Sequence, residues 1–245
     1  MTKSKKETNK VVSIRAKRQE SETYKLEQRI ALLEGLNSSF IDRMAECLLK
    51  AIAHKDQYTY EHSARVAFYS LKLGEEIGLS SDQLHILELS ALFHDIGKIG
   101  VPDSVLLKPH RLDEHEFEIM KHHPVKSGEI LQDFEELKDI AKYARHHHER
   151  YDGRGYPDNL KGEQIPLFSR IILIADTFDA MTSTRPYRKG LTYEVAFSEL
   201  LEFSHSQFDP NLVTQFINAM SKARDKREEH FSLSITKAVF KKEAA

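Results

Sequence analysis

Thirteen histidines stand in 245 residues, beside one cysteine and no tryptophan. With Cys47 as the single thiol, no intrachain disulfide and no cysteine-based zinc site can form, so any metal here must be held by imidazoles and carboxylates. His94-Asp95 follow Leu89 to Phe93, a run with one hydroxyl and no charge. An imidazole and a carboxylate after such a run are costly unless both find partners. Such a pair can touch one metal, the Asp can bridge two, or the His can hydrogen-bond to its neighbour in a core. Other donors recur along the chain. His62 opens a helical pattern through Val66, Tyr69 and Leu73, His122-His123 precede Pro124, and His146-His147-His148 end another helical stretch. Asp176 closes Ile171-Ile172-Leu173-Ile174-Ala175, where a free, solvated carboxylate is not expected. Mixed imidazole and carboxylate ligation suits iron, manganese or zinc, and a bridging carboxylate suits a pair of ions. Two ions about 3.5–4 Å apart are the usual apparatus for cutting phosphate esters: one activates water and both neutralise charge on the phosphorus oxygens.

These donors must be carried by helices. From about residue 40 to 225 apolar residues recur every three or four positions, as in Leu84, Leu87, Ala91 and His94, or Ile171, Ile174, Phe178 and Met181. Ser80-Ser81-Asp82 and Asp113 with Glu116 read as helix starts, and Pro124, Pro166 and Pro210 suit first turns. No alternating strand of useful length and no internal repeat are visible. Residues 97–112, 150–165 and 183–191 read as loops. Hydrophobic residues at 40% and charged residues at 30% supply a core for one large or two small domains. The longest wholly apolar run has five residues, Ile171 to Ala175, against about 20 for a membrane span. The basic N-terminus lacks the apolar segment of a secretory signal. A formal net charge of -2 argues against general nucleic-acid binding, and the cysteine usage points to reducing cytoplasm. Residues 1–20, with seven Lys/Arg and two Glu, read as a disordered basic tail. Residues 21–44 read as an N-terminal helix. It is either a coiled coil pairing two chains into a homodimer or an amphipathic helix packed on its own domain. Residues 226–245 read as a C-terminal tail.

The segments HDIGKIGVPDSVLLKP (94–109), IMKHHPVKSGEIL (119–131), HHERYDGRGYP (147–157), GEQIPLFSRIILIADTFDAMTSTRPYR (162–188) and FDP (208–210) resemble, in order and spacing, the HD-GYP family of the HD-domain metal-dependent phosphohydrolases. The resemblance covers about residues 45–220, within one domain read as 45–225. It implies an all-α HD-domain helical bundle with a GYP loop extension, which agrees with the periodicity. It also implies a bacterial, metal-dependent cyclic di-GMP phosphodiesterase. Such enzymes hydrolyse a 3′–5′ phosphodiester to pGpG, in some members onward to GMP, through a metal-bridging hydroxide. Alternatives are a phosphodiesterase for another cyclic dinucleotide such as cyclic GMP-AMP, a non-catalytic interaction module, and a di-metal oxygenase. The chain then reads as a stand-alone output domain or a piece of a larger protein.

Residue by residue, the resemblance places metal ligands at His62, His94, Asp95, His123, His147, His148 and Asp176. It prefers His123 to His122, and His147 and His148 to His146, and leaves His54, His85, His110, His115, His205 and His230 as surface residues. Asp95 and Lys98 are the implied catalytic residues, Lys98 acting on the phosphate. Asp56, Lys98, Tyr156, Asp179, Arg185 and Arg188 are implied on the substrate side, with Asp179 beside the substrate or behind a ligand. Glu149, Arg150 and Asp152 read as an ion-pair network fixing the GYP loop. Family members with three metals carry a glutamate four residues before the first ligand histidine. Here Tyr58 stands there, so a binuclear centre is expected, iron or manganese ahead of zinc. The family's glycines are missing at Asn159 and in Ser204-His205-Ser206-Gln207. Asn159 tolerates left-handed backbone.

Overall fold

The computed structural model describes residue 29 and residues 43–45, 47–50, 57–184 and 189–225, with backbone alone at 57, 58, 224 and 225. The expected basic tail (1–20) and C-terminal tail (226–245) lie outside them, as does the expected 21–44 helix except for Arg29, Arg43 and Met44, which are helical. The chain divides between Cys47 and Leu48, and everything below belongs to the second unit.

Nine α-helices follow one another among the described residues of 57–225: α1 (Gln57–Glu76), α2 (Ser81–Phe93), α3 (Asp103–Leu106), α4 (Glu114–Met120), α5 (His123–Gln132), α6 (Lys138–Arg145), α7 (Leu167–Thr182), α8 (Tyr193–Glu202) and α9 (Pro210–Asp225). No strand occurs among them; Ser204 and Phe208 share one isolated bridge. Helices α1 and α2 form a hairpin over Gly78, whose φ of +79° suits glycine. Helix α1 also lies on α7 and α9, α2 on α6, and α5 on α6. Leu73, Leu87, Leu92, Phe93, Ile171, Ile174, Phe178 and Phe216 fill the space between, with essentially no exposure. The apolar spacing read along 84–94 and 171–181 is the buried face of α2 and α7.

The starts of α2 and α4 are capping boxes. Ser80 and Gln83, and Asp113 and Glu116, each exchange side-chain and backbone hydrogen bonds. Asp209 Oδ1 accepts from the N–H groups of Asn211 (2.9 Å) and Leu212 (3.4 Å), so the Phe-Asp-Pro motif is a buried anchor, a cap and a first-turn proline for α9. Three expectations need correction. His62 does not start a helix: α1 begins at Gln57, because Thr59 and Tyr60 are buried although 57–61 carries no apolar periodicity. The stretch 97–112 is not all loop. It holds a 3₁₀ turn within Ile96–Gly100 and the single turn of α3. A further 3₁₀ turn, Gly162–Gln164, interrupts 150–165.

Candidate metal centre

Three helix ends point at one spot. His94 follows the last residue of α2, His123 follows α4 and opens α5, and His147 lies just past α6. The last carbonyls of a helix lack intrahelical donors. Each histidine satisfies the carbonyl three residues back with its Nδ1–H: His94 to Ala91 (2.6 Å), His123 to Met120 (2.8 Å) and His147 to Ala144 (2.6 Å). A carbonyl only accepts, so Nδ1 carries the proton and a neutral ring presents its lone pair at Nε2. The neighbours His122 and His146 bond instead to the carbonyls four back, Glu118 and Lys142. His146 Nε2 then turns to Asp158 at 2.9 Å, and His122 is exposed.

The lone pairs meet head on. His123 Nε2 is 3.1 Å from Asp95 Oδ1 and 3.4 Å from His147 Nε2, and His147 Nε2 is 3.9 Å from the same oxygen. Asp95 Oδ1 and His94 Nε2 are buried with no hydrogen-bond donor. Acceptors crowded together without donors repel unless a cation lies among them. Burial drives the His147 imidazole well below its ordinary range, helped by His148 and His94, and burial with His123 beside it pushes His148 down to about 3. Both rings are therefore neutral ligands at physiological pH. Burial opposes ionisation of Asp95, yet Lys98, His94 and His123 hold its carboxyl well below the usual range.

On the far side His62 reaches in from α1. Its Nε2 is 3.1 Å from Asp176 Oδ1 of α7 and 3.8 Å from Asp95 Oδ2. Burial disfavours a charged His62, but Asp176 and Asp179 outweigh it and push the imidazole up to about 9. The same contact holds Asp176 well below the usual carboxylate range despite its burial. The donor atoms fall into three overlapping groups, each within 4.8 Å: His62, His94 and Asp176; His94, Asp95 and His147; His123, His147 and His148. Together they contain all seven residues expected as ligands; apart from His62, which beside Asp176 keeps a proton that a cation would displace, the set turns unprotonated imidazole and carboxylate atoms inward and fits divalent cations.

The remaining expected site residues divide. Lys98 Nζ bonds Asp95 Oδ2 from a partly exposed position. The Tyr156 ring lies 4.9 Å from that of His148, tilted by 33°, and the Lys121 ammonium is 5.9 Å above it. Burial raises the Tyr156 phenol well above its ordinary pKa, so it stays protonated. Asp179 sits behind His62. It is fully buried, and its oxygens take His62 Nδ1 (2.7 Å), Arg65 Nε (2.6 Å), Arg65 Nη2 (3.1 Å) and Ser183 Oγ (3.0 Å). Asp56, Arg185 and Arg188 lie outside the described residues, as does the side chain of Tyr58.

Two residues escaped the sequence reading. Arg65 stands three positions after His62 and so shares its helical face; that spacing was visible. Ser127 was not findable, because its role is tertiary. Its Oγ donates to the His94 carbonyl at 2.8 Å and accepts the Gly97 N–H at 2.9 Å. A Cβ on Gly97 would lie 2.0 Å from the His123 carbonyl, so the glycine lets the turn after His94-Asp95 press onto α5. The GYP loop is fixed differently from expectation. Arg150 pairs with Asp152 at 2.9 Å, but Glu149 accepts the backbone N–H groups of Asp158 (2.6 Å) and Leu160 (3.0 Å). The loop also pairs with the turn before α9, Tyr151 N–H to the Gln207 carbonyl (3.1 Å) and Asp152 N–H to that of Ser206 (2.8 Å). Asn159 and His205 occupy the left-handed region, φ +55° and +67°, at or near the missing glycines.

The HD domain family matches residues 46–212. The chain is 42% identical over 206 residues to the cyclic di-GMP phosphodiesterase response regulator RpfG of Xanthomonas campestris, covering 80% of this chain and 54% of that protein. It is 36% identical to a cyclic di-GMP phosphodiesterase of Thermotoga maritima, covering 82% and 57%, and 34% identical to the 3'3'-cGAMP-specific phosphodiesterase 3 of Vibrio cholerae, covering 76% and 40%. The chain thus spans about half the length of the curated relatives it matches. In structure it resembles a cyclic GMP-AMP specific phosphodiesterase of V. cholerae, with TM-score 0.58 at 22% identity over 75% of this chain and 49% of that one. It also resembles the HD domain of the Listeria monocytogenes phosphodiesterase PgpH, with TM-score 0.54 at 22% identity over 75% and 97%. The helical bundle, the His-Asp pair at the end of α2, the GYP loop closing over His148 and the match across 46–212 carry one conclusion: this chain belongs to the HD domain family, in its HD-GYP branch.

Proposed function

We propose that this chain is a metal-dependent cyclic di-GMP phosphodiesterase that adds water across one 3′–5′ phosphodiester and releases pGpG, with further cleavage to GMP as a possible second step of the same site. The observation that carries the reading is the convergence of the His123 and His147 Nε2 lone pairs on Asp95 Oδ1, buried and without a donor, while His94 Nε2, also without a donor, lies 3.3 Å from Asp95 Oδ2. His62, His94 and Asp176 would hold one ion and His123, His147 and His148 a second, with Asp95 between them. Such ions, when bound, activate water and neutralise charge on the phosphate oxygens. Mixed imidazole and carboxylate ligation suits iron, manganese or zinc, and the family resemblance puts iron or manganese ahead of zinc.

The chain's own residues do the rest. Asp95 stays ionised and turns one oxygen toward each ligand group. Lys98 neutralises its outer oxygen and leaves positive charge at the partly exposed edge where a phosphate would enter. Tyr156, protonated and beside His148, offers a ring face to a base and a hydrogen-bond donor to a phosphate or ribose. Arg185 and Arg188 are assigned to the phosphates by the family resemblance, and Asp56 to the substrate side. A second reading, cleavage of cyclic GMP-AMP, is supported by 34% identity to an enzyme named for that specificity. No described helix is long and apolar enough to cross a membrane. Action in the cytoplasm, on a second messenger, by a chain paired through residues 21–44 completes the proposal. Chromatography of the manganese-loaded protein with cyclic di-GMP, cyclic GMP-AMP and cyclic di-AMP separates the readings: faster loss of cyclic di-GMP supports the first, faster loss of cyclic GMP-AMP the second, and no loss of any refutes both.

A further inference from the structure

Four of the five ligand histidines are oriented in two unlike ways. His94, His123 and His147 sit at helix ends and spend Nδ1–H on spare backbone carbonyls. No side-chain substitution removes those acceptors. His62 is the sixth residue of a 20-residue helix, where the carbonyls three and four residues back serve the helix itself. Its Nδ1 must therefore find a side chain, and finds Asp179 Oδ2 at 2.7 Å. Asp179 is fully buried and is itself gripped by the Arg65 fork, Nε on Oδ1 at 2.6 Å and Nη2 on Oδ2 at 3.1 Å. Two contacts from a planar guanidinium fix the plane of the carboxylate as well as balancing its charge. With that plane fixed, the His62 ring has one orientation, and its Nε2 faces Asp176.

We propose that Arg65 is a positioning residue for the ion held through His62, so that this ion alone depends on the Asp179–Arg65 clamp, while His123 and His147 of the other ion are anchored on backbone carbonyls. The proposal rests on the two-ion reading given above. It makes the His62 side the adjustable half of the centre: substitution at Arg65 or Asp179 would alter one affinity and spare the other. Losing an outer partner of a metal ligand typically weakens metal binding about 10–100-fold.

The test is equilibrium dialysis of the whole chain against buffered free Mn²⁺, counting ions per chain for the unsubstituted protein, Arg65→Met, Arg65→Lys and Asp179→Asn. Melting of the metal-free proteins checks that each is folded. Arg65→Met is expected to weaken one equivalent by about 10–100-fold and leave the other unchanged. Asp179→Asn should do the same, their combination should add little, and Arg65→Lys, which keeps charge but loses the fork, should fall between. Equal weakening of both equivalents, or of neither, in a folded Arg65→Met protein overturns the proposal; if that variant does not fold, Arg65→Lys decides by the same criterion. An unsubstituted chain that binds one ion refutes the two-ion reading instead. The Arg65 proposal then falls if that ion's affinity is the same in the variants and stands if it drops.

Discussion

Asp95 turns one oxygen to His123 and His147 and the other to His62 and Lys98, so its removal should strip both ligand groups at once. Asp95→Ala is expected to lose metal and hydrolysis together; normal metal content by elemental analysis would contradict the assignment. Lys98→Ala should behave oppositely. It frees an Asp95 oxygen rather than removing a ligand, so metal is retained while turnover falls by about tenfold or more, the scale of a lost charge-assisted contact at about 1.5–3 kcal/mol. Unchanged kcat and KM would return Lys98 to a structural ion pair. Single residues were legible in the sequence to the extent that their type limits what they can do. A histidine after an apolar helix, or an aspartate inside one, must have partners. Asp179 shows the limit: its spacing from Asp176 put it on the right face, but which of two nearby aspartates meets the pocket and which backs a ligand depends on the tilt of α7 against α1.

At the level of elements, the centre depends on how closely a few backbones approach. Gly97→Ala would drive a methyl into the His123 carbonyl and the Ser127 N–H, so a loss of about 3 kcal/mol or more is expected in urea melts of the metal-free protein. A change under 1 kcal/mol would mean that the contact is looser than described. The GYP loop is held from outside by Asp158, which takes Arg145 (2.8 Å) and His146 (2.9 Å) and sits half exposed. The hydrogen bond from Arg145, opposed by burial and aided by His146, lowers the Asp158 carboxyl from 3.8 to about 2. A depressed folded pKa contributes stability that is fully present above the unfolded value near 4 and disappears as pH falls through about 2. Asp158→Asn should therefore cost about 0.2–1 kcal/mol near pH 6, the range for exposed pairs, and nothing near pH 2. Equal differences at both pH values in chemical denaturation would refute the ion pair. Capping residues and apolar spacing made α2, α4 and α7 readable in advance. The first turn of α1 and the short α3 were not, since buried Thr59 and Tyr60 carry no periodic signal and a single turn has too few residues to show one.

For the whole molecule, folding is what assembles the centre: α1, α2, α5, α6 and α7 each bring, within the helix or just past its end, one or two donors from distant parts of the chain. Ions that bind only the folded state must stabilise it, by about 2.7 kcal/mol when present at 100 times their Kd. Chelation should then lower Tm by roughly 5–10 °C for a domain of this size; an unchanged melting curve would mean that no resident ion is bound. The architecture was legible through the family resemblance that the ordered motifs carry, His-Asp, His-Pro and His-His-Glu among them, while the periodicity alone gave only a run of helices. The lone-pair crowding at Asp95 was not legible, since it exists only once three helix ends meet. That crowding calls for two ions, and the decisive measurement is cyclic di-GMP hydrolysis against the number of Mn²⁺ ions bound per chain, starting from metal-free protein. No hydrolysis is expected without metal, and turnover should rise as the second equivalent fills. Hydrolysis by the metal-free chain, or full turnover with one ion bound, would contradict the two-ion reading.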